Sequence, residues 1–275
     1  MSGTLYLVPT PIGNLGDISQ RCRETLLQAD FIAAEDTRVS IKLLNHLEIK
    51  KELVSYHEHN MKTSGPKILE RLQNGESCAL VTDAGSPAIS DPGEDLVRLC
   101  ADADIPVCAI PGPCALVTAL SASSLPTRRF CFEGFLSTVK KERKQHLDSL
   151  RQEQRTMIFY EAPHRLSATL EALAEAFGAF RRICLCRELT KLHEEYYRTT
   201  LGEAIAHYQQ TPPRGEFVLV VDGAPEEDSQ PDLAAALELM AARMAEGVSR
   251  KDAAKEISAK TGIKKNLLYD ASIAE

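Results

Sequence analysis

The 275-residue chain lacks both glycine-rich nucleotide fingerprints: no G-x-G-x-x-G follows its first apolar run, and no G-x-x-x-x-G-K-[ST] occurs. A Rossmann dehydrogenase and a P-loop NTPase thereby lose their main support. A disulfide framework is lacking too. Most of the eight cysteines, at 22, 78, 100, 108, 114, 131, 184 and 186, sit among apolar neighbours, which is core usage. Cys184 and Cys186 have no second Cys or His pair at metal spacing, and His57-x-His59 stands alone, so no metal site is predicted. Residues 1–15 show no basic start, apolar stretch or small-residue cleavage site, which predicts a cytoplasmic protein. Ile105 to Thr127 runs 23 residues without a charge, enough to span a bilayer. It carries Pro106, Pro111, Gly112, Pro113 and Pro126, however, and therefore reads as a strand, a turn and a buried helix.

What is present is an ordinary globular composition, 44% apolar and 26% charged, without low-complexity tracts. Acids outnumber Lys and Arg by 39 to 32, so any contact with nucleic acid must use local basic patches. The apolar runs Leu5–Val8, Phe31–Ala34, Leu53–Tyr56, Cys78–Val81 and Val107–Ile110 read as strands. They alternate with helical patterns at 17–29, 37–46, 64–74, 93–103 and 113–123, which predicts a parallel α/β sheet for an N-terminal domain over 1–125. A second α/β domain over 126–223 is predicted from strands at 130–132, 157–160, 183–186, 195–200 and 217–221 and helices near 141–153, 165–177 and 202–209. Adjacent strands around 183–201 imply a hairpin and a mixed sheet. Two prolines and three acids over 224–231 make 224–232 a linker by composition.

The tail, 233–275, has the layout of a helix-turn-helix unit, with Ser249-x-x-Asp252 as a capping box. Six basic residues against two acids between Gly247 and Lys265, Lys264 and Lys265 among them, suit phosphate contacts or a solvated helix face.

Small-residue loops follow three strands of the first half: Pro9-Thr10-Pro11-Ile12-Gly13, Asp83-Ala84-Gly85-Ser86-Pro87 and Pro111-Gly112-Pro113-Cys114-Ala115. In a parallel sheet these share one carboxyl edge, where ligands bind. Glycine lets a ligand approach the backbone, and proline reduces the ordering cost.

These loops, with Glu35-Asp36-Thr37-Arg38, Ser90-Asp91-Pro92-Gly93, Tyr160-Glu161-Ala162-Pro163-His164-Arg165 and Arg187-Glu188-Leu189-Thr190-Lys191, resemble the ribosomal RNA small subunit methyltransferase I family, a branch of the tetrapyrrole methylase superfamily. The resemblance runs from about Leu5 to Asp222 and extends to the tail. It implies two α/β domains, a homodimer, and S-adenosylmethionine-dependent methylation of a cytidine ribose 2′-hydroxyl in the decoding region of 16S rRNA, free or within the small ribosomal subunit. Matching loop to loop, it implies a cofactor site at Ile12, Ala84, Gly85, Ser86, Ile89, Cys114, Ala115, Glu161 and Leu189. The superfamily's Gly-Gly-Asp-Pro is here Ala84-Gly85-Ser86-Pro87, and its Thr-Ala is Cys114-Ala115, changes that backbone contacts should survive.

A ribose hydroxyl is a poor nucleophile and needs proton removal or an aligned, desolvated attack. Among the charged members of the motif loops, Asp36 and Glu188 are the base candidates, with Lys191 beside them as a clamp on sugar or phosphate. Arg38, Arg165 and Arg187 join the Lys140-Lys141-x-Arg143-Lys144 cluster as RNA-binding candidates expected around the mouth of the cleft. Two rival readings stay open: a small-molecule tetrapyrrole methyltransferase, and a non-catalytic RNA-binding module on the same fold.

Overall fold

The computed structural model describes residues 2–225 and 233–273 and divides into two compact units between Gly223 and Ala224. Most of the expected linker, 226–232, lies outside the described residues. The first unit holds both sheets, so the boundary expected at 125/126 separates two sheets within one unit.

The first sheet is all parallel, in the order β3 (Glu52–Ser55), β2 (Phe31–Ala34), β4 (Cys78–Val81), β1 (Leu5–Leu7), β5 (Val107–Ala109). β2 and β4 are buried on both faces, and their unbroken apolar runs follow from that. The helices α1 (Gln20–Gln28) and α2 (Thr37–His46) contribute Leu26 and Leu44 to the core on one face. The helices α3 (Met61–Gln73) and α4 (Glu94–Asp102) contribute Ile68, Leu72 and Leu96 on the other. The chain leaves β1 toward β2 and leaves β4 toward β5, so the direction of winding reverses between the neighbours β1 and β4. α3 starts three residues before its expected position. Asn60 closes the preceding turn by accepting the His57 N–H at 2.8 Å, which places Pro66 inside the helix.

The long uncharged run divides into β5 and α5 (Ala115–Ala122), and among the described residues no helix is long and apolar enough to cross a membrane. α5 supplies Leu116, Ala119 and Leu120 to a core shared with Ile158, Cys184, Val218 and Val220 of the second sheet, and so joins the two halves.

The second sheet is mixed, in the order β6 (Phe130–Phe135), β7 (Thr156–Glu161), β10 (Phe217–Val221), β8 (Arg182–Arg187), β9 (Glu195–Thr200). β8 and β9 form the expected antiparallel hairpin, whereas β6 pairs parallel to β7. β6 runs three residues further than expected through a bulge between Phe132 and Gly134. The bulge turns Phe135 to the same face as Phe132, where both rings meet Tyr160 edge-on at 5.6 and 4.9 Å. The other face of the sheet is covered by α6 (Lys140–Ser149), α7 (Leu166–Phe177) and α8 (Leu201–Gln210), which bury Leu147, Leu170 and Ala204.

The second unit comprises α9 (Leu233–Ala245), α10 (Arg250–Thr261) and α11 (Lys265–Ala271) around Met240, Ala254, Ile257, Ile263 and Leu268. Ser249 caps α10 by accepting the Asp252 N–H, and Gly262 ends it at φ +74°. The Ser249 hydroxyl bonds the Asp252 carboxylate at 2.6 Å, so the expected box is only half made.

Candidate active site

Three loops at the carboxyl edge of the first sheet are tied to one another. Thr10 and Gly85 exchange two backbone hydrogen bonds at 2.9 and 3.0 Å across the β1/β4 switch point. The Ser86 hydroxyl donates to the Pro113 carbonyl at 3.2 Å, which joins the β4 and β5 loops. The backbone of Gly13 approaches the 188–191 loop so closely that a Cβ there would lie 2.4 Å from Lys191 Cγ. These contacts enclose a cavity of about 450 Å³ at the switch point, where ligands bind in open α/β sheets.

All nine residues matched to a cofactor site line this cavity. Ile12 comes from the β1 loop, Ala84, Gly85, Ser86 and Ile89 from the β4 loop, and Cys114 and Ala115 from the start of α5. Glu161 and Leu189 line it from the second sheet's strand ends. The Glu161 carboxylate is only 1% exposed and is already engaged. It accepts the Thr169 hydroxyl at 2.5 Å and the Ala162 N–H at 2.9 Å, and lies 3.3 Å from Arg165 Nε.

The catalytic candidates fall elsewhere. Asp36 is absent from the lining, because its carboxylate caps α2 by accepting the Arg38 N–H at 2.8 Å and also holds the Arg38 guanidinium. That pairing lowers its pKa to about 2, the reverse of what a base needs. Glu188 accepts Lys191 Nζ at 2.8 Å and the Glu216 N–H at 2.9 Å, and the Lys191 ammonium first of all holds its carboxyl below the usual range. Lys191 bridges Glu188 and Glu216, which together raise its pKa although burial opposes them. All three groups read as structural ion pairs.

The basic candidates do not ring the cavity, and among the described residues no Lys, Arg or His lines it. Arg165 donates to the Leu136 carbonyl besides pairing with Glu161, and Arg187 pairs with Glu195 at 2.9 Å. Arg38 is 88% exposed but tied to Asp36. Lys140, Arg143 and Lys144 line a separate groove between α6 and α7, where Lys144 meets Glu175 at 3.4 Å, while Lys141 is exposed on α6. Lys264 and Lys265 lie in the second unit, at the start of α11.

The sequence reading missed the acids that do face the cavity, Glu35, Asp83 and Asp91. Burial raises the pKa of all three, and in Asp91 the added charges of Glu35 and Asp83 carry it to about 7. The N-cap signature Asp36-Thr37-Arg38 could have assigned Asp36 to the helix and left Glu35, at the end of β2, for the cleft. Among the described residues no cluster of His, Cys, Asp or Glu could hold a metal ion.

Two α/β sheets joined through a helix, with a cavity at the first sheet's switch point, define the architecture of a class of methyltransferases. Residues 4–205 match the tetrapyrrole (corrin/porphyrin) methylases. The chain is 49% identical over 275 residues to a ribosomal RNA small subunit methyltransferase I of Synechocystis sp., covering 98% of each protein, and 46% identical to the same-named protein of Bacillus subtilis, covering 98% of this chain and 94% of that one. Among solved structures, a cobalt precorrin-4 methyltransferase superposes with a TM-score of 0.58 at 18% identity, over 79% of this chain and 94% of that one. A uroporphyrin-III C-methyltransferase from Thermus thermophilus superposes with a TM-score of 0.59 at 15% identity, over 80% and 97%. The chain belongs to the tetrapyrrole methylase family, in its ribosomal RNA small subunit methyltransferase I branch.

Proposed function

We propose that this methyltransferase uses S-adenosylmethionine to methylate a cytidine ribose 2′-hydroxyl in the decoding region of small-subunit rRNA, acting in the cytoplasm as a homodimer. The observation that carries the reading is the likeness, over nearly the whole chain, to relatives named for methylating small-subunit rRNA. The cavity is compatible with the donor: its wall of Ile12, Ala84, Gly85, Ala115, Leu189 and Val218 offers apolar surface and main-chain groups, and three of its acids, Glu35, Asp83 and Asp91, make no ion pair among the described residues. When bound, S-adenosylmethionine supplies an electrophilic methyl group on a positively charged sulfur. A carboxylate fixed against that sulfur would favour the ground state over the transition state, so neutral backbone around small residues suits it better.

The tetrapyrrole reading draws on the family match and on the fold neighbours. A uroporphyrin-type substrate brings a ring of carboxylates, and among the described residues this lining has acids and no cation to receive them. A nucleoside turned out of its strand can leave its phosphates outside the cavity. The test is radiolabelled methyl transfer to purified small ribosomal subunits and to free 16S rRNA, followed by digestion to nucleosides. Label in 2′-O-methylcytidine is expected. Label on a base, or none on RNA, overturns the reading, and sedimentation of the purified protein tests the dimer.

A further inference from the structure

Among the described residues five carboxylates line the cavity, and no Lys, Arg or His does. Phosphates are repelled from such a wall, so a nucleotide brought here must be gripped by its base and sugar. One side chain of the lining suits a base and serves no other purpose. Phe135 is 53% exposed at the end of β6, and it belongs to neither hydrophobic core that the second sheet builds. Among the described residues its one ring contact is the tilted one with Tyr160, 66° between planes, so no ring is stacked on it.

A single exposed ring on a protein surface needs no explanation. This one is set in place by its neighbours. The bulge puts Glu133 against α6, where its carboxylate meets His146 Nε2 at 2.8 Å. Gly134 follows at φ +63°, the left-handed region that favours glycine. Leu136 then returns to the core at 2% exposure, while its carbonyl accepts from Arg165. Without the extra residue, strand alternation would send Phe135 to the helix-covered face; the bulge delivers the ring to the cavity instead. The bulge also abuts the β4 loop, since a Cβ on Gly134 would lie 3.4 Å from Ser90 Oγ. Leu189 follows β8, three strands from β6, which is about 14 Å across the sheet. Phe135 thus stands at the opposite end of the cavity from Leu189.

We propose that Phe135 is the platform on which the base of the target nucleotide stacks, holding its ribose at the cavity. The assignment rests on the reading of the cavity as the site of methyl transfer to RNA. An aromatic ring accepts any base through its π-face, so Phe135 supplies grip and position and leaves the choice of base to hydrogen-bonding groups. Tyr160 does not share this role, because its hydroxyl accepts the Leu116 N–H and its ring is flanked by Phe132 and Phe135.

Loss of one stacked base lowers binding on the order of 5- to 150-fold. Phe135→Ala and Phe135→Leu should both lower kcat/KM for the RNA substrate within that range, since leucine keeps apolar bulk without a π-face, and Phe135→Tyr should retain it. S-adenosylmethionine affinity by calorimetry and the thermal melt should stay near wild type in all three. The chain has no tryptophan, so Phe135→Trp introduces a sole reporter. Incorporated as 7-azatryptophan, it can be excited apart from the tryptophans of ribosomal proteins. Its emission should change little with S-adenosylhomocysteine, which occupies the donor site without turnover. It should be quenched when the small subunit or 16S rRNA, whichever accepts methyl label, is then added. A leucine variant as fast as wild type, or an emission unmoved by RNA, overturns the assignment. Quenching by S-adenosylhomocysteine alone, or a matching loss of donor affinity in the alanine variant, moves Phe135 to the cofactor and overturns it equally. Wild-type protein that labels no RNA overturns the underlying reading instead.

Discussion

The Glu188 carboxylate accepts the Glu216 N–H at 2.9 Å, and a Cβ on Gly215 would lie 2.5 Å from Glu188 Cγ. Gly215 also sits at φ +81°, where an L-residue costs roughly 1–2 kcal/mol before any collision is counted. Gly215→Ala should therefore lower stability by at least about 1–2 kcal/mol in urea titrations. It should also loosen the neighbours Leu189 and Glu216 on the cavity wall, weakening cofactor affinity by calorimetry. Unchanged stability would mean that the 188–191 loop yields freely and does not fix the wall.

The buried pair of Glu161 and Arg165 separates two roles for the arginine. If Arg165 is structural, Arg165→Ala leaves a buried carboxylate without its cation, at a cost of about 3 kcal/mol, the low end for breaking such a pair because Thr169 and the Ala162 N–H remain. The thermal melt should fall accordingly, and the salt dependence of RNA binding should not change. A stable variant with a reduced salt slope would return Arg165 to the RNA surface.

The strands were legible where burial on both faces leaves an unbroken apolar run: β2, β4 and β10 start and stop where their side chains do. The loops that line the cavity were legible because Gly and Pro at strand ends announce themselves and the sheet order brings the three together. β6 was cut short because its bulge breaks the alternation at Gly134. The cavity acids were missed because Glu35 follows β2 while Asp83 and Asp91 lie in the β4–α4 loop, and nothing local distinguishes a carboxylate facing a cleft from one capping a helix, as Asp36 does. The ion pairs of Glu188 with Lys191 and of Arg187 with Glu195 depend on backbone turns and strand pairing that residue spacing does not specify.

The cavity acids also make stability depend on pH. The folded pKa of Asp91, about 7, lies above its ordinary 3.8, so the native state holds that proton more tightly than the unfolded chain. Stability from this group is fully present below about pH 4 and is lost as pH rises through about 7. Glu35 and Asp83 are shifted in the same direction, chiefly by burial. Asp91→Asn should thus melt increasingly above wild type between pH 4 and 8, and equal melts across that range would place Asp91 in ordinary solvent.

The tail helices have a core of their own and form a separate compact unit. A chain ending at Gly223 should therefore fold and bind S-adenosylmethionine with wild-type affinity, while half-saturation by the RNA substrate moves to higher concentration. Lost cofactor binding in the truncated chain would tie the tail to the cavity, and unchanged substrate saturation would remove it from recognition.

For a chain of net charge −7, attraction to RNA depends on where unpaired cations gather. In the first unit, Arg165 and Arg187 are paired, whereas Lys140, Lys141 and Arg143 on α6 make no ion pair among the described residues, and Lys144 meets Glu175. If this face meets phosphates, each contact releases condensed counterions, and log affinity should fall with log salt by about 0.7 to 0.9 per contact. Lys140→Ala or Arg143→Ala should then reduce the slope by a little under one. Lys144→Ala should change it less, because Glu175 already neutralises that charge. Glu175→Ala should do the opposite, freeing Lys144 and steepening the slope. Filter binding from low to moderate salt resolves these differences, with cofactor affinity as the control, since none of the four residues lines the cavity. A flat slope in the wild type, or equal slopes in all variants, would remove α6 from the RNA contact and leave the cations of the tail to supply it.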